Sequence, residues 1–531
     1  MRLDEVFHND DVCGIGVMTM AVTSATETER KYDVDESTPI PDLSGLGEVR
    51  TVEAVTLDAT YFDTADGALA ARRLTLRRRT GGRDEGWHLK TPGMAVSGIE
   101  RTEYQTPLAD EPPTQLLDLV RAVIRDRGLV ELARLSTRRS VTNLLGDDGE
   151  PVAEVADDLV SAIEVRAGAL RRWREWEVEL LDAAPSDPQQ RARLLDAIEE
   201  KLVTAGAAPS RSASKLARAM GRSELGADRA TALLGKSSTS IEVVAVALGD
   251  LVDALISADP LARADEADAI HAMRIVVRRL RSLLASFRTV LDREVTDCIR
   301  ARLRVLGAVL GEARDAEVRR MRAVELLDNS DPTAAGLPAA AAIDLRRRLV
   351  DSAEAEYDVG HDKVIEYLNR PEYFRLLDDL DELIARPPIT DASMTKAGIE
   401  LRAALRRESR HGRKRLKGVN SDDPESLHEA RKAARRVRFA AEALSEGAGA
   451  ILGKKTRALA AAAKEVQDAI GDYRDASLFV DRLQAASREA MNVGDDAAAY
   501  AALIELECGN AREALSRVGA AAHRLTSFSG K

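Results

Sequence analysis

Glu27-Thr28-Glu29-Arg30-Lys31 decides how the first half of this chain is read, because charged side chains recur there at every second position. In a strand that period places Glu27, Glu29 and Lys31 on one face. Neighbouring carboxylates repel unless a cation relieves them, and hard oxygen donors suit Mg²⁺ or Mn²⁺. The pattern returns in Trp173-Arg-Glu-Trp-Glu-Val-Glu-Leu180, where Glu175, Glu177 and Glu179 share a face. Between these acidic strands lie basic ones: Arg77 shares a face with Arg79, His88 with Lys90, and Arg101 with Glu103. An exposed sheet tolerates any one such pair. The whole set suits a closed barrel with a charged interior, where unpaired buried charge is too costly to leave unmatched. A metal–polyphosphate complex is the natural filling, with carboxylates on the cation and Lys/Arg on the phosphate oxygens.

Working outward, strand-like runs at 26–34, 51–58, 73–79, 86–90, 99–106, 138–144 and 173–181 are separated by Gly, Pro and Asp turns. Helical stretches near 115–128 and 187–204 accompany them. Residues 221–239, rich in Ser, Ala and Gly, read as a linker, and everything beyond reads as helix. Residues 1–22 lack a basic start followed by an apolar core and read as a disordered leader, with Met18 or Met20 an alternative start. The expected class is α+β multidomain: an antiparallel β-barrel tunnel over 23–220 and an all-α duplicated helical bundle over 240–531, its repeats at about 240–330 and 395–525.

A chain of 531 residues is too long for one hydrophobic core. With 3% aromatic residues the cores must be built from Leu, Val and Ala. The net charge of −12 argues against coating nucleic acid or membrane, while leaving room for local basic sites. No run of about 18 apolar residues is present, so no membrane span is expected. Cys13, Cys298 and Cys508 are odd in number and widely spaced, which suits a reducing cytoplasm.

The second half repeats itself. His271-Ala-Met-Arg-Ile-Val-Val-Arg-Arg-Leu-Arg281 matches His428-Glu-Ala-Arg-Lys-Ala-Ala-Arg-Arg-Val-Arg438 at the His and every Arg. Gly311-Glu-Ala-Arg-Asp-Ala316 is echoed by Gly471-Asp-Tyr-Arg-Asp-Ala476 in the same order and at nearly the same spacing. At about 100° per residue, Arg274, Arg278 and Arg281 fall in one stripe with His271, and Val276, Leu280, Leu283 and Leu284 oppose it. His428, Arg431, Arg435 and Arg438 form the second stripe. A third basic run, 401–417, contains Arg413 and Lys414 and a single acid, Glu408. Arg presents paired donors suited to phosphate, so these helices are expected to bind polyanions. Arg314-Asp315 and Arg474-Asp475 read as structural pairs.

Glu27-x-Glu29-x-Lys31, Tyr61-Phe-Asp-Thr-Ala-Asp66, Leu74-x-Leu-Arg-Arg-Arg79, Trp87-x-Leu-Lys90 and the late Glu-x-Glu together resemble the CYTH, or triphosphate tunnel metalloenzyme, family over roughly residues 25–220. The resemblance implies a tunnel barrel and divalent-metal chemistry on triphosphates. It implies metal-holding or water-placing roles for Glu27, Glu29, Glu177 and Glu179, and phosphate contacts for Lys31, Arg77, Arg79, Lys90, Arg101 and Lys215. A further arginine is Arg138 or Arg139, and a further acid Asp157 or Asp158. Neighbours point to opposite faces, so only one of each pair lines a tunnel, and Arg138 and Asp157 are preferred. His88 reads as a secondary contact or strand-surface residue rather than a general base. The His/Arg duplication over about 235–525 resembles the CHAD family, which implies helical bundles around a basic groove that binds polyphosphate. The expected activity is hydrolysis of inorganic triphosphate or short polyphosphate with Mg²⁺ or Mn²⁺. The alternatives are a non-catalytic polyphosphate scaffold, a thiamine triphosphate hydrolase and an adenylate cyclase. Neither membrane nor nucleic acid is expected as a partner, the latter because aromatic stacking residues are scarce among the basic helices.

Overall fold

The computed structural model describes residues 22–92, 100–224, 234–235, 237–329, 339–420, 423–446, 454–494 and 497–527. The expected leader, save residue 22, and residues 225–233 and 236 of the expected linker fall outside them. The chain divides into two compact units, Met1–Ala227 and Asp228–Lys531.

The first unit is an eight-stranded antiparallel barrel: β1 (Thr23–Val34), β2 (Glu48–Thr64), β3 (Thr75–Thr80), β4 (Gly86–Pro92), β5 (Glu100–Thr106), β6 (Leu129–Leu145), β7 (Pro151–Glu164) and β8 (Leu170–Leu180). The order β5-β4-β3-β2-β6-β7-β8-β1 closes because the start of β1 pairs with β5 and its later half with β8. The two-residue β9 (Ala208–Pro209) joins β1. β7 carries Asp157 and Asp158, expected on a strand, although no strand-like run marked its extent. Its inward face carries Glu154, Ala156 and Asp158 and its outward face Asp157, so it shows no apolar/polar alternation. Short helices, α1 (Ala68–Ala71), α2 (Thr114–Asp118) and α3 (Arg121–Ile124), decorate the barrel.

The apolar core of this unit lies on both faces of the barrel wall. Tyr32, Trp176, Val178, Val155 and Leu144 face outward and are covered by Leu195, Ile198 and Leu202 of α4 (Pro188–Thr204). Asp187 caps α4 by accepting from the Gln190 amide at 2.9 Å. A second cluster joins Tyr61, Leu135 and Trp173 to Leu216, Ala217 and Ala219 of α5 (Lys215–Ala219). This second cluster faces inward, with Tyr61, Leu135 and Leu216 lining the interior beside the charged residues.

The second unit is helical: α6 (Ser240–Arg263), α7 (Ala269–Ser286), α8 (Arg293–Asn329), α9 (Ala339–Arg346), α10 (Ser352–Leu368), α11 (Pro371–Ala385), α12 (Ala397–Lys417), α13 (Pro424–Glu446), α14 (Lys454–Asn492) and α15 (Ala498–Ser527). Thr239 and Glu242 form a reciprocal capping box that starts α6. The two copies follow the same packing sequence: α6 on α7, α7 on α8 and α8 on α10, then α12 on α13, α13 on α14 and α14 on α15. On α7 the core residues are Met273, Val277, Leu280, Leu283 and Leu284, so Val277 rather than the expected Val276 faces inward. Among the described residues no helix is long and apolar enough to cross a membrane.

All three tryptophans, Trp87, Trp173 and Trp176, lie in the barrel, so their fluorescence reports that unit alone. The turn between β3 and β4 depends on Gly81, whose φ is +82° and where a Cβ would lie 2.4 Å from the Thr56 carbonyl oxygen. Gly81→Ala is therefore expected to destabilise the barrel by at least about 1–3 kcal/mol, read as a lower denaturant midpoint by tryptophan fluorescence.

Candidate functional site

The inward residues of the eight strands enclose a cavity of about 620 Å³. Glu27, Glu29 and Lys31 from β1, Arg77 and Arg79 from β3, Lys90 from β4, Arg101 and Glu103 from β5, Arg139 from β6, Glu177 and Glu179 from β8, and Lys215 from α5 all line it. The set expected from alternation is thus brought together from seven separate segments. The preference for Arg138 and Asp157 is corrected. Arg138 is exposed, and Asp157 pairs on the outer face with the Arg174 guanidinium at 2.7 and 2.9 Å and accepts from Trp176 Nε1 at 3.1 Å. Their neighbours Arg139 and Asp158 point inward, joined by two hydrogen bonds of 2.8 and 2.6 Å.

The interior charges sort into two groups. In one, Glu177 meets Lys31, Arg139 (2.7 Å) and Lys215 (2.7 Å). Burial opposes its charge, but the three cations prevail and hold the carboxyl well below its usual range. Lys31 also binds Glu29 at 2.9 Å. Burial raises the Glu29 carboxyl, yet Lys31 and Lys90 outweigh it and bring it to about 2. Lys31 itself is lowered by burial and lifted by Glu177 and Glu29 to about 12.

In the other group, Lys90 pairs with Glu27 at 2.5 Å and approaches Glu103 at 3.6 Å, and Arg77 binds Glu103 at 3.1 Å. Burial, assisted by Glu103, pushes Glu27 up to about 7. His88 is fully buried, not at the strand surface: Nδ1 lies 3.0 Å from Glu103, and Nε2 donates to the Asp84 carbonyl at 2.9 Å. Burial, and then Arg77, lower the Arg79 guanidinium to about 9. Arg79 also pairs with Asp84, and the buried Nε atoms of Arg77 and Arg79 have no hydrogen-bond partner. Arg77, Arg79, Lys90 and Arg101 bring more cationic groups to this side of the tunnel than Glu27, Glu103 and Asp84 balance, which suits an anion.

Donor chemistry also suits a hard divalent cation. Glu29, Glu179 and Glu154 stand directly opposite one another across β1, β8 and β7, an arrangement of like charges that destabilises a sheet unless something offsets it. Burial raises the carboxyls of Glu179 and Glu154. Among the described residues Glu179 makes no ion pair or hydrogen bond. A second acidic cluster, Asp158, Glu175 and Glu177, is fully buried. Its residue Glu175 escaped assignment to a role because sequence alternation alone does not show which of three acids on a face has a partner.

In the helical unit, α7 and α13 pack side by side and their stripes meet. His271, Arg274, Arg278 and Arg431 line a cavity of about 630 Å³ with Arg314, Arg322, Arg474 and Arg482. Arg281, Arg435, Arg438, His428, Arg413 and Lys414 do not line it. Among the described residues Arg278, Arg281 and Arg435 form no ion pair. Burial first, and then Arg435, Arg274 and Arg431, lower Arg278 to about 10. Burial and then Arg431 do the same to Arg435. Phe439 is flanked by the guanidinium groups of Arg278 and Arg438. Asp315 pairs with Arg274 at 2.9 Å and Arg314 with Glu317 at 2.8 Å, so the Arg-Asp motifs bind neighbouring residues rather than each other. Arg407 donates to the Ser286 carbonyl and Arg436 pairs with Glu408, which gives part of the third basic run a structural task.

The chain matches a CYTH domain family model over residues 25–208 and a CHAD domain model over residues 246–484. It is 35% identical over 519 residues to an uncharacterized protein of Mycobacterium tuberculosis, found in strains CDC 1551 and H37Rv, covering 94% of this chain and 96% of the relative. Among solved structures, PptA from Streptomyces chartreusis is 19% identical and covers 54% of this chain and 99% of its own, with a TM-score of 0.45. The CHAD domain from the plant Ricinus communis is 22% identical and covers 55% of this chain and 93% of its own, with a TM-score of 0.42.

The raised Glu27 carboxyl predicts a pH effect. Folding favours its protonated form, so its contribution to stability is full below pH 4.5 and is lost as pH rises through about 7. In chelator, the wild-type barrel is expected to lose stability across that window relative to Glu27→Gln, measured by tryptophan-monitored denaturation. Parallel pH profiles for the two proteins would refute the assignment.

Proposed function

We infer the function from one premise: the chain belongs to the CYTH family in its first half and to the CHAD family in its second. We propose that the barrel is a divalent-metal-dependent triphosphatase acting on inorganic triphosphate or short polyphosphate, and that the helical unit binds polyphosphate. The observation that carries this reading is the tunnel's division into a carboxylate row at Glu29, Glu179 and Glu154 and a side where Arg77, Arg79, Lys90 and Arg101 outnumber the acids. Of the residues lining the cavity, Tyr61 alone is aromatic. That favours an inorganic chain over a nucleotide or thiamine ester, which needs a flat apolar surface for its ring.

In this reading Arg77, Arg79, Lys90 and Arg101 grip the phosphate oxygens, and Arg101 is steadied by donating to the Ala213 carbonyl at 2.9 Å. Glu29 and Glu179, with Glu154 behind them, would hold Mg²⁺ or Mn²⁺. When bound, the ion would neutralise charge on the phosphoryl group and template the attack. Glu27 orients a water and takes its proton as the water oxygen bonds to the terminal phosphorus and the bridging P–O bond breaks. A carboxyl near 7 is well placed to act as a base at neutral pH. Phosphoryl transfer needs little covalent help beyond such positioning. In the helical unit, Arg274, Arg278 and Arg431, continued by Arg281, Arg435 and Arg438, offer a row of guanidinium groups of which only Arg274 and Arg438 pair with an acid among the described residues. Holding long chains there would raise substrate concentration near the barrel of the same polypeptide.

Two experiments test this. Purified protein is expected to release phosphate from inorganic triphosphate with Mg²⁺ or Mn²⁺ and to stop in chelator, and Glu29→Gln is expected to lower the rate at least about a hundredfold. No release from folded protein would leave the barrel a ligand-holding module. Independently, the double variant Arg274→Ala/Arg431→Ala is expected to weaken long-chain polyphosphate binding at least about tenfold and to flatten its salt dependence. Unchanged affinity, measured by calorimetry at two salt concentrations, would remove the groove from the account.

A further inference from the structure

Asp158, Glu175 and Glu177 bring one oxygen each to within 4.8 Å of the others, and all three residues are buried. Three carboxylates so close need positive charge among them. That charge is already present. Lys215 Nζ lies 2.9 Å from Asp158, 2.8 Å from Glu175 and 2.7 Å from Glu177. These contacts are ionic more than directed, since Glu175 Oε1 sits beside the ammonium without completing a hydrogen bond. A compact charge ringed by three hard oxygens at nearly equal distance is the arrangement a small metal ion would adopt.

The ammonium is also held in place. Lys215 is the first residue of α5, whose N-cap Ser214 accepts from the Ala217 amide at 3.1 Å. The next turn buries Leu216, Ala217 and Ala219 against Tyr61, Leu135 and Trp173. Withdrawing Lys215 would uncover that cluster. Burial disfavours its charge, but Asp158, Glu177 and Glu175 outweigh burial, and the group stays protonated well beyond the ordinary lysine range. The sequence reading gave Lys215 a phosphate to bind, yet its charge is fully engaged by acids.

We propose that the Lys215 ammonium is a resident cation that occupies a divalent-metal position formed by Asp158, Glu175 and Glu177 and keeps that position closed to metal. The inference refines the triphosphatase reading, because it confines any exchangeable ion to the Glu29–Glu179 side of the tunnel. It does not depend on turnover.

The test counts Mn²⁺ bound to the full-length protein by electron paramagnetic resonance, without substrate. Lys215→Met is expected to bind one more Mn²⁺ per chain than wild type, and Lys215→Arg, which keeps the charge, the same number as wild type. Mn²⁺ is also expected to raise the melting temperature of the Lys215→Met barrel more than that of wild type, followed by tryptophan fluorescence. Equal Mn²⁺ counts in wild type and Lys215→Met overturn the proposal. So does a Lys215→Met protein that stays unfolded at saturating Mn²⁺, since a vacated metal position would be refilled. A wild type that binds no Mn²⁺ beside a variant that binds one would sink the metal-dependent triphosphatase reading and leave this one standing.

Discussion

Charge enclosed by a β-barrel must be balanced within the barrel, and that constraint organises the first unit. One apolar cluster covers the outer wall, where Trp176, Val178 and Tyr32 meet α4, and another, around Tyr61 and Leu135, faces inward against α5. Alternation then forces Glu27, Glu29, Lys31, Arg77, Arg79, Glu177 and Glu179 inward together. These side chains are largely buried and lie within ion-pair distance of one another, so each charge answers to its neighbours. The two groups of residues differ in how far this goes. Around Glu177 every negative charge has a fixed cation. Around Glu27, Glu179, Arg77 and Arg79 compensation is partial, and the raised carboxyls and lowered Arg79 record it. A protein retains partial compensation at a cost in stability, and a ligand carrying both signs, such as a cation bound to a phosphate chain, removes that cost.

The helical unit solves a different problem with the same residues. Arg278, Arg281 and Arg435 sit on a half-buried stripe with no acid set against them, while the acids nearby are already engaged, Asp315 with Arg274 and Glu442 with Arg438 and Arg279. These acids fix guanidinium groups in direction and leave the stripe as a whole positive. The histidines at the head of each stripe, His271 and His428, are lowered by burial and then by nearby Arg314 or Lys432. Both surroundings favour the neutral imidazole over the charged one.

Much of this was legible in the sequence because parity and helical phase are geometric. A period of two gave the tunnel lining, and a repeated His/Arg register gave two helices that meet. What stayed illegible needed knowledge of a partner. Arg138 and Arg139 differ by one position, and only the β6–β7 register, which sets Arg139 against Asp158, assigns the inward face. β7 lacked a recognisable alternation because acidic and small residues occupy its inner face. Val277 replaced Val276 in the core because α7 is gripped from both sides, by α6 and α8, which rotates the buried arc beyond a single-helix projection. His88, read as a secondary contact or a strand-surface residue, proves to be the former, reaching Glu103 diagonally on the next strand, a contact that only the β4–β5 register shows.

Lys215 is the sharpest case, and it bears on how the barrel manages its ions. A lysine after the last strand reads equally well as a phosphate clamp or as a counter-ion. The distinction lies in whether the oxygens around it belong to the protein or to a ligand. Here they belong to Asp158, Glu175 and Glu177, on two adjacent strands, and the lysine arrives from a helix whose burial fixes its reach. A covalently attached cation does not exchange, does not vary with metal supply and does not leave with product. On the proposed reading, a site with one such charge at one side and an exchangeable ion at the other would keep its fold independent of metal while its chemistry depended on it. The cluster in the tunnel that most resembles a metal site is therefore, on electrostatic grounds, the part of the barrel least in need of one.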